Sequence, residues 1–181
     1  KDFSFDLINK DKTLINKLLK KIENIICLHV RKQVEAGANI IQIFDSWAGL
    51  LPEKELENYC YEPTQKIVEN LKSLNVPIIC FPRGIGKNYI NFNSIVKPNC
   101  ISIDYEVDAE LIKKDIKGTV IQGGLDPKIL LKDRSSIKKE VENYLKIFAD
   151  YPYIFNLGHG VLPETKPEII EYVINLVRNK K

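Results

Sequence analysis

The chain has 181 residues, 44% hydrophobic and 28% charged, with a formal net charge of +3. That length supports one domain with a real core, and so small a charge gives no argument for nucleic acid or membrane binding. No apolar run approaches the roughly 20 residues that span a bilayer and no secretory pattern opens the chain, which reads as a cytoplasmic protein.

Along the chain, Leu14, Leu18, Ile22, Ile25 and Ile26 form an apolar stripe that predicts a helix ending near Gly37. His29 falls inside it and reads as structural. The run 40-IIQIF-44 predicts the first strand, followed by Asp45, Ser46, Trp47, Ala48 and Gly49. Pro63 opens a second helix with Ile67, Val68 and Leu71 on one face. The second strand, 77-PIICF-81, runs into Pro82, Arg83, Gly84, Ile85 and Gly86. Short helices fill 88–96 and 107–116, on either side of the strand 100-CISID-104 and the residues Tyr105 and Glu106. The fourth strand, 119-TVIQG-123, precedes Gly124, Leu125, Asp126 and Pro127. Ile137, Val141, Leu145 and Phe148 mark the next helix, and 153-YIFNL-157 the fifth strand, which breaks on Gly158, His159 and Gly160. A last helix runs from about Pro167 to Val177.

This alternation predicts an α/β protein with a parallel sheet, its strands covered on both faces. Two architectures fit it. One is a five-stranded doubly wound domain; the other is the last five units of an eight-stranded βα barrel. Nothing divides residues 1–181 into two domains. The four cysteines, Cys27, Cys60, Cys80 and Cys100, lack metal-ligand spacing, and Cys27, Cys80 and Cys100 lie in apolar runs as reduced core thiols do. There is no methionine at all. Initiator methionine is removed mainly ahead of small residues and Lys1 is not small, so the chain is expected to begin inside a longer protein.

Both architectures place their sites at the carboxyl ends of the strands. Ser46 is there as a helix cap or as a ligand-binding hydroxyl. The Arg83–Gly86 turn is a weak phosphate-loop candidate. Asp104 is a solvated strand end or an orienting carboxylate. Asp126 and Pro127 read as an N-cap and first helical residue, and Trp47 as packing. His159 stands between two glycines, which permit positive φ and close backbone approach and leave its ring room to meet a ligand.

At 42-QIFDSWAG-49, 102-SIDYEVD-108, 122-QGGLDP-127 and 155-FNLGHGVLPETKPE-168 the chain resembles the carboxyl-terminal half of the uroporphyrinogen decarboxylase family, over roughly residues 13–178. The resemblance implies a (β/α)8 TIM-type barrel, with only about the last five βα units in this chain. It implies removal of the four acetate carboxylates of uroporphyrinogen III as CO2, giving coproporphyrinogen III, without cofactor or metal, in a protein that is a homodimer in many members. By the same resemblance Ser46 and His159 bind substrate and Phe44 forms an apolar wall. The family's pyrrole-facing aspartate lies in the amino-terminal half, so no catalytic residue is expected here and the chain alone is expected to be inactive. Many relatives carry Trp where Tyr105 stands and Asn where Gly124 stands; glycine there is expected to loosen the turn. A zinc-dependent methylcobamide:coenzyme M methyltransferase branch shares the barrel, but its H-x-C pair is replaced by Phe81, Pro82 and Arg83, and its later cysteine by His159. A non-catalytic remnant of a split or truncated gene is the other alternative; it predicts open strand edges and an uncovered apolar face.

Overall fold

The computed structural model describes residues 11–179. Helix α1 (Lys12–Glu35) starts where the Asp11 carboxylate accepts the Leu14 N–H at 2.9 Å, a side-chain N-cap. It stops just before Gly37, whose φ of +105° reverses the chain. Its buried face is not the predicted one. Cys27 and Val30 are buried, with Ile26 and Val34 packed beside them, whereas Leu14, Leu18, Ile22 and Ile25 are exposed. The helix lies along α2; of the remaining stripe, Leu18 and Ile22 face residues 45–51 across an open apolar cavity, and Leu14 and Ile25 are the more exposed pair. His29 is exposed on α1 and packs in no core.

Five strands follow: β1 (Ile41–Asp45), β2 (Ile78–Pro82), β3 (Cys100–Ile103), β4 (Val120–Gly123) and β5 (Tyr153–Ile154). The fifth is shorter than predicted, continued only by a bridge between Leu125 and Leu157. Between them lie α2 (Glu62–Leu71), α3 (Tyr89–Val96), α4 (Ala109–Asp115) and α5 (Arg134–Ile147), and α6 (Pro167–Arg178) closes the order. A π-helical turn, Glu57–Tyr61, leads into α2.

All pairings are parallel and the strand order is β1-β2-β3-β4-β5. A doubly wound sheet reverses its order at a switch point; this sheet has none. Right-handed crossovers in a sheet of such order put every helix on the same side. Side chains alternate along each strand, and Ile41, Ile43, Ile78, Cys80, Ile101, Ile103 and Ile121 meet that helical layer in one core. The opposite face carries Gln42, Phe44, Ile79, Phe81, Ser102 and Gln122. The inner strands β2, β3 and β4 are buried on both faces, as the apolar runs suggested, while the edge strands β1 and β5 stay partly exposed.

That second face is concave. The Gln122 amide nitrogen, on β4, donates to Ser102 Oγ at 3.2 Å and to Gln42 Oε1, on β1, at 3.3 Å. β1 and β4 are three spacings apart in the sheet, about 14 Å if it were flat, a gap these side chains bridge only across a curved surface. The strands are also staggered. Gln42 pairs by register with Ile79, then Cys100, then Val120, yet it meets Gln122, two residues farther along β4. Tilt of that kind accompanies the curling of a sheet toward closure.

All four cysteines are free and buried. Burial pushes the Cys80 and Cys100 thiols up to about 12 and Cys60 higher still. Thiolate being the reactive form, the native protein is expected to resist a disulfide reagent at pH 8 and to titrate four thiols in guanidinium. Rapid labelling of the native chain at Cys80 or Cys100 would contradict this core. Among the described residues, no helix is long and apolar enough to cross a membrane.

Candidate functional site

The turn after β1 is built on Asp45. Its half-buried carboxylate accepts the Trp47 and Ala48 N–H groups and the Cys60 thiol, and burial, the largest influence, raises its pKa above the usual carboxylate range. This leaves Ser46 half-buried at the bend. The short helical turn Ala48–Leu50 has no side-chain cap, so the capping role open to Ser46 is not taken up. Phe44 is 64% exposed on the concave face, edge-on to Phe81 with ring centroids 6.1 Å apart. Trp47, 56% exposed, walls an apolar cavity of about 380 Å³ between this turn and α1, together with Ile15, Leu18 and Leu51.

The next turn is packed against the first. Gly49 N–H donates to Arg83 O at 2.9 Å, and a Cβ on Gly49 would lie 2.5 Å from Gly84 O. Gly84 has a φ of +84°, and its N–H donates to Asp104 Oδ2 at 2.7 Å. The amide that a phosphate loop would offer to a ligand is thus already paired, and Arg83–Gly86 is a packing turn. Asp104, 2% exposed, is the orienting carboxylate and not a solvated end. It also accepts the Tyr89 hydroxyl at 2.9 Å and the Glu106 N–H at 2.9 Å, while its own N–H donates to Tyr89 Oη at 3.2 Å. Burial and the adjoining Asp104 charge together raise the Tyr89 pKa well above the ordinary phenol value.

At the end of β4, Gly123 and Gly124 have φ of +95° and +103°. Glycine at 124 does not loosen this turn. The Tyr144 hydroxyl donates to Gly124 O at 2.7 Å and the Tyr153 hydroxyl to Gly123 O at 2.8 Å. A Cβ at 124 would sit 2.7 Å from Tyr144 Cε1. Asp126 caps the following turn through Lys128 N–H at 2.9 Å, with Pro127 behind it as predicted. Lys128 Nζ stands 6.0 Å from the Tyr105 ring centroid, a cation at the outer limit of a cation–π contact. No motif singles it out; only the fold brings the two loops together.

Beyond β5, Gly158 and Gly160 serve different ends, and neither has positive φ. Gly158 N–H donates to Leu125 O at 2.7 Å, and a Cβ there would meet Tyr105 N at 2.4 Å. Gly160 faces open space. His159 is exposed between them. The fold therefore puts Phe44, Ser46 and His159 on the carboxyl rim, but at opposite edges of the sheet: the first two follow β1 and the last follows β5. No bond among the described residues joins them. Nor do three His, Cys, Asp or Glu side chains gather among the described residues as a metal site.

Residues 2–180 match the family described as Uroporphyrinogen decarboxylase (URO-D). The uroporphyrinogen decarboxylase of Rickettsia bellii is 42% identical over 173 residues, 94% of this chain and 51% of that protein. Those of Rickettsia akari and Cereibacter sphaeroides are 36% and 35% identical over 95% and 96% of the chain, and over 52% of each relative. The chain thus spans about half the length of the curated relatives it matches. Among solved structures, a methyltransferase from Methanosarcina mazei superposes with a TM-score of 0.65 at 19% identity, over 79% of this chain and 42% of that one, a likeness of fold alone. With the family matched almost from end to end, and its four blocks standing at the carboxyl ends of four of the five parallel strands, the chain belongs to the uroporphyrinogen decarboxylase family.

Proposed function

We propose that the chain is the carboxyl-terminal part of a single uroporphyrinogen decarboxylase domain, holding about the last five βα units of a (β/α)8 barrel. The observation that carries the reading is the family match over residues 2–180 together with relatives of that name at 42%, 36% and 35% identity. The strand order without reversal, the concave second face and the stagger between Gln42 and Gln122 support the barrel. Closing such a sheet would bring the β1 and β5 edges around one mouth, so that Ser46 and His159 face a common substrate.

The reaction is loss of four acetate carboxylates from uroporphyrinogen III as CO2. The Ser46 hydroxyl and the His159 imidazole donate hydrogen bonds to peripheral carboxylates of the tetrapyrrole, and Arg83, Lys87 and Lys128 lie in turns that follow strand ends. Phe44 supplies apolar wall, an environment that favours departure of neutral CO2 over retention of a carboxylate. The cationic pyrrole that develops as ring carbon takes a proton needs a facing carboxylate; by this reading that group comes from the amino-terminal half. The reading calls for no metal or cofactor and places the protein in the cytoplasm as a homodimer.

A chimera tests it. Joined behind the amino-terminal half of the Rickettsia bellii relative, this chain is expected to convert uroporphyrinogen to coproporphyrinogen, while the chain alone converts none. In the chimera, Ser46→Ala and His159→Ala should each lower kcat/KM by about 10- to 100-fold, the range for a lost hydrogen bond to a charged group. Turnover by the isolated chain, or wild-type kcat/KM in both variants, would overturn the assignment.

A further inference from the structure

Three polar side chains occupy the concave face below the rim, where βα barrels ordinarily carry branched aliphatic layers. Ser102 is 2% exposed and Gln122 4% exposed. Burying them is unfavourable unless they are paired, and they are: Gln122 Nε2 donates one hydrogen to Ser102 Oγ and the other to Gln42 Oε1. The consequence falls on Gln42. Its oxygen is held, so its Nε2 is turned the other way. That nitrogen bonds to no protein group among the described residues and is not sealed from solvent, Gln42 being only partly buried. Two N–H donors of a side chain on the concave face are therefore left for a ligand or solvent, and the partner that holds this amide is itself bonded to a buried serine.

Position says what they meet. Gln42 precedes Phe44 by two residues on the same face of β1, about 7 Å farther from the rim, and it stands beneath the Phe44–Phe81 pair. A group that enters between Phe44 and the far rim and reaches past them arrives at this amide. Amide N–H groups in an otherwise apolar recess suit an anionic or carbonyl oxygen, and a neutral amide holds a carboxylate without the salt link that would hinder its release.

We infer that Gln42 is a further substrate-binding residue, donating from Nε2 to a carboxylate oxygen of the bound polycarboxylate, with Gln122 and Ser102 as its positioning residues. This rests on the function proposed above.

Trp47, the single tryptophan, stands in the turn after β1, and energy transfer from it to a bound porphyrin reports occupancy without contact. The probe is uroporphyrin, the air-stable oxidised form of the substrate, titrated into the chimera described above with any tryptophan of its amino-terminal half replaced by phenylalanine, which serves as wild type below. Wild type should quench saturably, and His159→Ala and Ser46→Ala should bind more weakly. Gln42→Leu, which keeps shape and loses the donors, should weaken binding roughly three- to tenfold. Gln42→Glu should weaken it more than Gln42→Leu does, because it sets carboxylate against carboxylate. Gln122→Leu, which frees the amide to rotate, should weaken wild type but add little to Gln42→Leu. A merely structural Gln42 would lower the melting temperature of both substitutions and leave their affinities equal. If Gln42→Glu does not fold, Gln42→Asn, which withdraws the amide by one methylene, carries the same comparison with Gln42→Leu. Affinity within twofold of wild type in Gln42→Glu (or, in its place, Gln42→Asn), with His159→Ala weakened, overturns this inference alone. No quenching by wild type, or unchanged affinity in both His159→Ala and Ser46→Ala, overturns the parent reading and this inference with it.

Discussion

Gly158→Ala is expected to destabilise the protein by about 3 kcal/mol, the upper range for forcing an atom into a packed site, and to lower its melting temperature by about 6–12 °C for a chain of this size. The added Cβ would lie 2.4 Å from Tyr105 N and 2.8 Å from Asp104 C, both backbone atoms that no rotamer change moves aside. The loop after β5 must then lift off β3, breaking the Gly158–Leu125 hydrogen bond. Because His159 is the next residue, the same lift shifts its imidazole, and the decarboxylating chimera should lose activity as well as stability. Gly160→Ala is the control. Nothing lies within 4 Å of its Cβ and its φ is not positive, so a change under about 0.5 kcal/mol is expected. Differential scanning calorimetry of the two variants decides it; equal melting temperatures would rule out the close approach.

Asp104→Ala is the second large effect, about 3–5 kcal/mol, as expected for emptying a buried charged acceptor and stranding its donors. Gly84 N–H, Glu106 N–H and the Tyr89 hydroxyl all point at this one carboxylate. Asn is the informative comparison. With its amide oxygen at the Oδ2 position it keeps the Gly84 and Tyr89 bonds and gives up the one from Glu106, so about 1–2 kcal/mol is expected. Tyr89→Phe should fall in the same range, since it deletes one donor to Asp104 and one acceptor for its N–H. Urea denaturation of the three variants gives the order Ala worst, Asn and Phe milder. Equal losses for Ala and Asn would mean that side-chain volume, and not hydrogen bonding, sets the stability of the turn.

The two effects concern the same stretch of the rim, and the sequence pointed to only part of it. The five glycine- and polar-rich strand ends are legible because apolar runs stop there abruptly, and the four family blocks sit on them. What a glycine is for was not legible. Gly158 and Gly160 look alike in the chain, yet one faces the backbone of Tyr105 and the other faces nothing. The effect of glycine at 124 was misjudged because Tyr144, 20 residues away, secures its carbonyl. Asp104 was ambiguous for a similar reason, its partners Gly84 and Tyr89 lying 20 and 15 residues earlier.

Local chemistry by itself determined the elements: alternating β-rich runs and amphipathic segments, the cap at Asp126, and the family to which their sum belongs. Those features depend on neighbours within a few residues, where propensity and hydrogen-bonding groups are written in order. Only the tertiary structure decided which face of α1 is buried, that the sheet is singly wound and concave, and that Gln42, Ser102 and Gln122 meet. Each of these follows from strand tilt and curvature, which sum small twists over the whole sheet and so leave no mark at any one position.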